Sequence, residues 1–231
     1  GVDVSGQFRF RFQEKKVDGE FASNPALATD TNNETGSDVE IEVGVKVPVT
    51  ENVTAVFKID NANDDSDDSI TKADVEIEDY YFSYNSGALT VNAGQQNIPG
   101  RMTDGNQGDG IVALYNLGSA TVGAAAFANH NVNTTIPATS TTAALTLTDG
   151  SQSLLSVIAM GNVGPVSLLG QYATVEDTID SFNLKADASV AMAKVGVEYT
   201  ESELDAATGV ASADLDDRST FKAYVSGNVG I

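Results

Sequence analysis

The chain has 231 residues, a formal net charge of -21 from 12 basic and 33 acidic side chains, and no cysteine. The lack of cysteine excludes disulfide frameworks, thiolate metal sites and thiol nucleophiles, and the acidic balance disfavours nucleic acid and favours cations as partners. No apolar run reaches the roughly eighteen residues of a transmembrane helix, and no charged-then-apolar leader is present, so we expect any signal peptide to have been removed.

Within the first predicted element, the stretch Gln7–Gln13 alternates aromatic side chains with charged or amide side chains. Because a strand sends successive side chains to opposite faces, one face holds only phenylalanine and the other includes Arg9 and Arg11. This composition fits a strand that has lipid on one side and water on the other. A closed barrel of such strands is the way to span a bilayer without apolar helices. The pattern therefore predicts an all-β, transmembrane, antiparallel up-and-down β-barrel.

Further alternating segments follow along the whole chain, and short and long connections alternate between them. Tight turns on the periplasmic side and longer loops outside are typical of outer-membrane barrels, and both chain ends then lie on the periplasmic side. A β-sandwich would also give many strands, but it rarely sorts its connections so strictly by length. The twelve predicted strands are Val4–Gln13, Asp38–Val47, Val53–Asp60, Asp74–Tyr84, Ala88–Gln96, Gly110–Asn116, Ala120–Asn129, Gln152–Gly161, Val166–Thr174, Ser181–Ala191, Lys194–Glu201 and Ser219–Val229.

The fourth predicted strand breaks the alternation. Glu76 and Glu78 fall on the same face as Tyr80 and its aromatic successors, and these side chains cannot all lie at lipid depth. Either a bulge shifts the phase near Asp79, or the two glutamates stand above the membrane. We expect the second arrangement, in which the tyrosines form part of an aromatic girdle at the headgroups.

Three blocks of the sequence resemble the major outer membrane porins of Campylobacter and its relatives. The opening block is Val2–Arg11, a turn-and-strand block is Thr50–Asp60, and the third block contains Ala93-Gly94-Gln95-Gln96, Thr103-Asp104 and Asp109-Gly110. The similarity is good over roughly the first 130 residues and general in strand pattern afterwards.

The resemblance implies a trimeric, cation-preferring diffusion channel of about eighteen strands, with calcium near its constriction. The family is longer than this chain, which stops at Ile231 without a terminal aromatic residue. We therefore expect a single barrel domain over residues 1–231 that is an incomplete or trimmed version of a larger barrel.

The strand phases place side chains of both signs inside the barrel. Basic and acidic residues on different walls produce a transverse field that orients polar solutes, and an excess of carboxylates raises the local cation concentration. The alternative is that these residues are only solvated and have no role in selectivity. The predicted inward residues are Arg9, Arg11, Lys46, Lys58, Glu40, Glu42, Asp60, Lys185, Asp187 and Glu198.

The gap from Arg101 to Asp109 is the candidate constriction element. It is rich in glycine and aspartate, and in the related porins residues at this position enter the pore. Asp104 and Asp109, with backbone carbonyls and water, could supply oxygen ligands to Ca²⁺. Two carboxylates five residues apart are not a metal motif by themselves, so this calcium prediction depends on the resemblance.

The densest negative charge lies in Asp64–Asp68, which lacks the spacing and the terminal glutamate of an EF-hand loop. A solvated external loop is the simplest interpretation. The alternative is weak binding of divalent cations that bridge to the phosphates of lipopolysaccharide.

Two other classes of protein compete with the porin. A phospholipase-like barrel would need a Ser-His pair, but His130 has no recognisable nucleophile motif near it, so we predict an ordinary loop histidine and no enzyme. An adhesin or S-layer-like surface protein would suit the loop Thr134–Thr148, but it has no need of a lipid-facing apolar band. The sequence supplies that band in Phe8/Phe10/Phe12, Val39/Ile41/Val43/Val45, Leu89/Val91/Ala93, Val122/Ala124/Ala126 and Phe182/Leu184/Ala186/Ala188/Val190. We therefore predict a general diffusion porin of a Gram-negative outer membrane that passes ions and small hydrophilic solutes.

Overall fold

The computed structural model describes residues 1–15, 34–62, 74–132, 134–136, 145–147, 152–190, 192–204 and 218–227. These residues form β1 (Asp3–Lys15), β2 (Glu34–Pro48), β3 (Val53–Ala62), β4 (Asp74–Ser86), β5 (Leu89–Asn97), β6 (Gln107–Asn116), β7 (Ala120–His130), β8 (Thr134–Ile136), β9 (Leu145–Leu147), β10 (Leu154–Val163), β11 (Val166–Val175), β12 (Ile179–Val190), β13 (Ala193–Leu204) and β14 (Arg218–Gly227). Within these segments no helix is both long enough and apolar enough to cross a bilayer.

The strands follow one another as the alternation predicts. One sheet contains β1 to β7 and then β10 to β14, in chain order and with sequence neighbours hydrogen-bonded. The remaining strands, β8 and β9, form a separate antiparallel ribbon. Each of the twelve predicted strands coincides with one strand of the sheet, which confirms the up-and-down topology. The ribbon lies in the segment that we predicted as a loop, because three-residue strands are too short to show an alternation.

Strand β6 begins three residues before its predicted start. We predicted a gap rich in glycine and aspartate up to Asp109 and a strand from Gly110. In the structure Gly108 pairs with Gln96, and Asp109 pairs with Gln95. A register shift between Asp109 and Gly110 on the β7 side absorbs one extra residue, as a β-bulge does.

The short connections have the chemistry of tight turns. Gly87, between β4 and β5, has φ 59°, and Gly164, between β10 and β11, has φ 60°. These left-handed angles are costly for a side chain with a Cβ and are free of that cost for glycine. Leu117 donates its backbone N–H to the carbonyl of Ala120 at 2.7 Å, which closes the turn between β6 and β7.

The chain divides into two compact units, residues 1–47 with 56–78 and residues 48–55 with 79–231. In the first unit β1 pairs with β2 so that Phe8 opposes Ile41 and Arg9 opposes Glu40. Phe8 and Phe10 are 70% and 61% exposed, although both are large apolar side chains. The predicted separation of an apolar face from a charged face is therefore present in this unit.

In the second unit the exposed apolar side chains lie on one face of the sheet. Examples are Leu155 on β10, Tyr172 on β11 and Leu184 on β12. The registers β10–β11 and β11–β12 place them on the same side, since Leu155 opposes Thr174 and Tyr172 opposes Phe182. The exposed Phe182 and Leu184 agree with the lipid-facing side predicted on β12.

We call the opposite side of this unit the inner face; it carries Ser156, Gln171, Asn183 and Glu198, all buried. Part of the inner face is covered by an apolar cluster. Its members are Ile98, Val112, Ala125, Phe127, Leu154 and Val175. Ile98 comes from the connection between β5 and β6, so this connection packs onto the inner face.

The irregularity predicted in β4 is a switch of the exposed apolar side chains from odd-numbered to even-numbered positions. Exposed apolar side chains fall on the odd positions Val75 and Ile77 and then on even positions from Tyr80 onward. Asp79, between them, is buried. One extra residue at Asp79 produces such a change, so the structure favours the bulge over the arrangement that we expected.

Candidate pore-lining site

Charged side chains of the first unit form ion pairs on the face opposite the exposed phenylalanines. Arg9 binds Glu40 directly across the β1–β2 pair. Lys58 of β3 lies between two acids, with its Nζ 3.2 Å from Glu42 Oε1 and 2.5 Å from Glu78 Oε2. Together these five side chains form a cluster of three carboxylates and two bases, which we call the acidic cluster.

Other residues predicted for this wall do not join the acidic cluster. Lys46 is exposed and makes no ion pair with a described residue. Asp60 is half-buried, and its Oδ1 has no hydrogen-bond partner in the part of the chain that the structure describes. The backbone of Arg11 pairs with Asp38, but its side chain lies outside the described residues.

In the second unit the segment 98–106 forms a compact loop that folds back on itself. Ile98 donates its N–H to the carbonyl of Asn106 at 2.9 Å, and Asn106 donates to the carbonyl of Thr103 at 3.0 Å. The Thr103 hydroxyl donates to the carbonyl of Pro99 at 3.2 Å, and Thr103 is 3% exposed. We call residues 98–106 the inner loop, since Thr103 and Ile98 are buried against the inner face.

Gln171 on β11 binds the inner loop through its carboxamide. Its Oε1 accepts the backbone N–H of Met102 at 2.9 Å. Its Nε2 lies 3.1 Å from the Thr103 hydroxyl, 3.4 Å from the carbonyl of Pro99 and 3.2 Å from the Ser156 hydroxyl. Gln171 is 1% exposed, so these polar groups are withdrawn from solvent and satisfied by one another.

Arg101 joins the inner loop to β13. Its Nε lies 3.1 Å from Glu198 Oε1, and this carboxylate also accepts a hydrogen bond from Asn183 Nδ2 at 3.1 Å. Asn183, which has no exposed surface, also donates to the Thr200 hydroxyl at 2.7 Å. The prediction that Glu198 points inward agrees with this arrangement, and the structure brings it together with the predicted constriction residue Arg101.

A second charged group lies further along the inner face. Asp187 accepts a hydrogen bond from the Tyr224 hydroxyl and lies 3.1 Å from Lys185 Nζ and 3.9 Å from Lys194 Nζ. Lys222 Nζ lies 5.6 Å from the centre of the Tyr224 ring, within the range of a cation–π interaction. This part of the inner face therefore carries four bases, Arg101, Lys185, Lys194 and Lys222, and two acids, Asp187 and Glu198.

The two predicted calcium ligands lie on different kinds of structure. Asp104 is an exposed residue of the inner loop, whereas Asp109, predicted in the same gap, belongs to β6 and opposes Gln95. No group of three or more acidic, histidine or cysteine side chains that could hold a metal is present among the described residues. The acidic stretch Asp64–Asp68 lies outside them.

His130 corrects another expectation. We predicted an ordinary loop histidine, but His130 is the last residue of β7, is 8% exposed and opposes Gly108 of β6.

Gln171 and Asn183 were not among the predicted site residues. The sequence contains one indication of Gln171, since this amide occupies an inward position on a strand that has no charged residue. Their partners are distant in sequence, up to 72 residues for Gln171, so no local spacing reveals the interaction.

A strand order of this kind, with one apolar exposed face and a charged, loop-covered inner face, defines an outer-membrane β-barrel of the porin class. The chain belongs to the Campylobacter major outer membrane protein family, whose model matches residues 1–224. The match extends well beyond the 130 residues over which we found good similarity, and it confirms the resemblance.

Solved porin structures share the fold. OccD3 (OpdP) of Pseudomonas aeruginosa has a TM-score of 0.61 at 9% identity, over 97% of this chain and 53% of its own. OccK2 (OpdF) of the same organism, in complex with glucuronate, has 0.60 at 11% identity over 99% of this chain and 61% of its own. A BenF-like porin of Pseudomonas fluorescens Pf-5 has a TM-score of 0.62 at 12% identity, over 99% of this chain and 64% of its own. The comparison with curated proteins gave no match.

This chain thus spans between about half and two thirds of the length of these porins. At such low identity the likeness establishes the fold and not the solute. Family and fold together confirm the outer-membrane location and agree with the prediction that the protein is not an enzyme.

Proposed function

We propose that this chain forms wall and constriction of a passive diffusion channel for ions and small hydrophilic solutes, with a preference for cations. The observation that carries the proposal is the inner loop, which is fixed against the inner face by Gln171 and Arg101. A segment held there narrows the water-filled space beside the charged inner face of the second unit. A narrow charged passage is where selectivity arises.

The two units differ in how far their charges support a cation preference. The acidic cluster has three carboxylates and two bases, and the whole chain has 33 acidic against 12 basic side chains. The inner face of the second unit has the opposite balance near Lys185 and Lys222. Within each unit, neighbouring acidic and basic groups orient a polar solute during passage, while the overall excess of carboxylates favours cations.

The other partners follow from the family resemblance. We propose a homotrimer in a lipopolysaccharide-containing outer membrane, with Ca²⁺ bound near Asp104 and Asp109. Calcium takes six to eight oxygen ligands, so two carboxylates would need backbone carbonyls and water as well.

Reconstitution in a planar bilayer tests the channel. Single-channel conductance and the reversal potential would be measured across a salt gradient, with and without calcium. Stepwise openings with a reversal potential on the cation side are the expected result. A silent bilayer in which insertion has been shown independently would contradict the channel, and an anion-side potential would contradict the preference.

A further inference from the structure

The inner loop has its own internal hydrogen bonds but needs a further attachment to stay on the inner face. The bonds from Ile98 to Asn106 and from Thr103 to Pro99 hold its shape. Neither bond joins the loop to the wall. What fixes its position therefore comes from other elements.

Gln171 is the buried attachment. Its carboxamide accepts from the backbone of Met102 and donates toward Thr103 and Ser156, so it connects β11, β10 and two successive loop residues. Because Gln171 is 1% exposed and Thr103 is 3% exposed, water cannot replace these partners without moving the loop.

Gly100 gives an independent indication that this contact is built into the sequence. Its φ is 137°, in the region that favours glycine, and a Cβ at this position would overlap the carboxamide of Gln171. Gly105, in the same loop, has φ 78°, but a Cβ there would meet no atom within 4 Å. Of these two loop glycines, only the one that faces Gln171 lies against the wall.

The second attachment, Arg101 with Glu198, is of a different kind. The Arg101 side chain is 42% exposed, so solvent and salt screen the pair. Gln171 makes uncharged, buried bonds that salt does not weaken in this way. Together with the apolar packing of Ile98, the buried amide therefore keeps the loop in place under changing ionic conditions, and it is the polar attachment that fixes Met102 and Thr103.

We propose that Gln171 is the positioning residue of the constriction: it anchors the inner loop and so sets the width and the steadiness of the passage. This inference rests on the proposed channel function. It does not require Gln171 to touch the solute, since Gln171 acts through the loop. Loss of the carboxamide releases the loop while the strands remain paired.

Because the chain has no cysteine, a single thiol reports on the loop alone. A spin label would be attached to Asp104→Cys, an exposed loop position, and its spectrum recorded in the full chain with Gln171 present or replaced. Gln171→Ala should lose the immobilised spectral component. Gln171→Glu keeps an acceptor for Met102 but lacks the amide donors, so it should give an intermediate spectrum.

Ser181→Ala is the matched control, since it removes a cross-strand hydrogen bond to Ser202 on the same unit without touching the inner loop. Its spectrum should equal that of the parent. An unchanged spectrum in Gln171→Ala would overturn the proposal. If Gln171→Ala does not fold, Gly100→Ala takes its place with Ser181→Ala again as control, and a Gly100→Ala spectrum equal to that of the control would overturn the proposal as well.

Conductance gives the functional readout. Gln171→Ala should increase the open-channel current noise, and Gln171→Glu should restore part of the quiet behaviour. The spectra do not depend on conduction, so a protein that never conducts refutes the channel while the label still decides whether Gln171 anchors the loop. A mobile loop with unchanged current would refute its role in the constriction.

Discussion

Removing Lys58 should increase the preference for cations. Lys58 lies between Glu42 and Glu78, and its replacement by methionine keeps most of the side-chain volume but removes the charge. The acidic cluster then has three carboxylates against Arg9 alone. The negative potential at this wall rises, and it attracts cations more strongly.

The distances set the energetic cost of that change. At 3.2 Å, the distance to Glu42, two unit charges attract by about 5 kcal/mol at an effective dielectric constant of 20 and by about 1.3 kcal/mol in water. Exposed pairs measured in proteins contribute about 0.2 to 1 kcal/mol each after entropy and desolvation. The three side chains are less than one third exposed, so we expect about 1 kcal/mol for each of the two pairs.

Lys46→Met is the matched control, because it removes one positive charge from an exposed lysine that pairs with no described acid. The reversal potential in a salt gradient should move toward the cation side more in Lys58→Met than in Lys46→Met, and the difference should shrink at high salt. The loss in unfolding free energy is measured by circular dichroism, because the chain has no tryptophan for a fluorescence measurement. Equal shifts in both variants would refute the bridging role of Lys58.

Three further outcomes are expected. Leu184→Arg on the exposed apolar face should cost about 2 to 4 kcal/mol of folding stability in vesicles, whereas Leu184→Ala should cost much less, and equal costs would contradict a lipid-facing position. Asn183→Leu should cost about 1 to 3 kcal/mol because it removes the buried amide donor from the Glu198 carboxylate, which then keeps the half-exposed Arg101, and from the Thr200 hydroxyl; denaturant titration measures this cost, and an unchanged midpoint would contradict it. Asp104→Asn with Asp109→Asn should abolish any effect of calcium on conductance, and a calcium response that persists would exclude these ligands.

The strands could be predicted from the sequence because the period of two is a local property. The alternation of Phe8 with Arg9 or of Leu184 with Lys185 is visible in single segments, and the structure confirms the face of each. The phase change near Asp79 could be detected but not assigned, since a bulge and a displacement above the membrane leave the same pattern.

The site was predicted in part, for the same physical reason. Charges at inward positions, such as Lys58 and Glu198, could be found from strand phase alone. Strand phase also gave Glu42, one partner of Lys58, but not Glu78, which lies next to the phase change at Asp79. Arg101 was predicted as a constriction residue, but its pairing with Glu198 could not be, because Arg101 lies in a loop. The role of Gln171 was missed, since it arises from the path of a loop 68 to 72 residues earlier in the chain.

The hydrogen bonds of Gln171 have a consequence for the evolution of the family. The buried carboxamide of Gln171 bonds the hydroxyls of both Thr103 and Ser156. A change at one of these three positions therefore leaves a polar group at another unsatisfied. Single replacements at these positions are therefore disfavoured, and paired replacements are tolerated. The three positions should covary among relatives, and Gly100 should change size only in sequences where residue 171 becomes smaller.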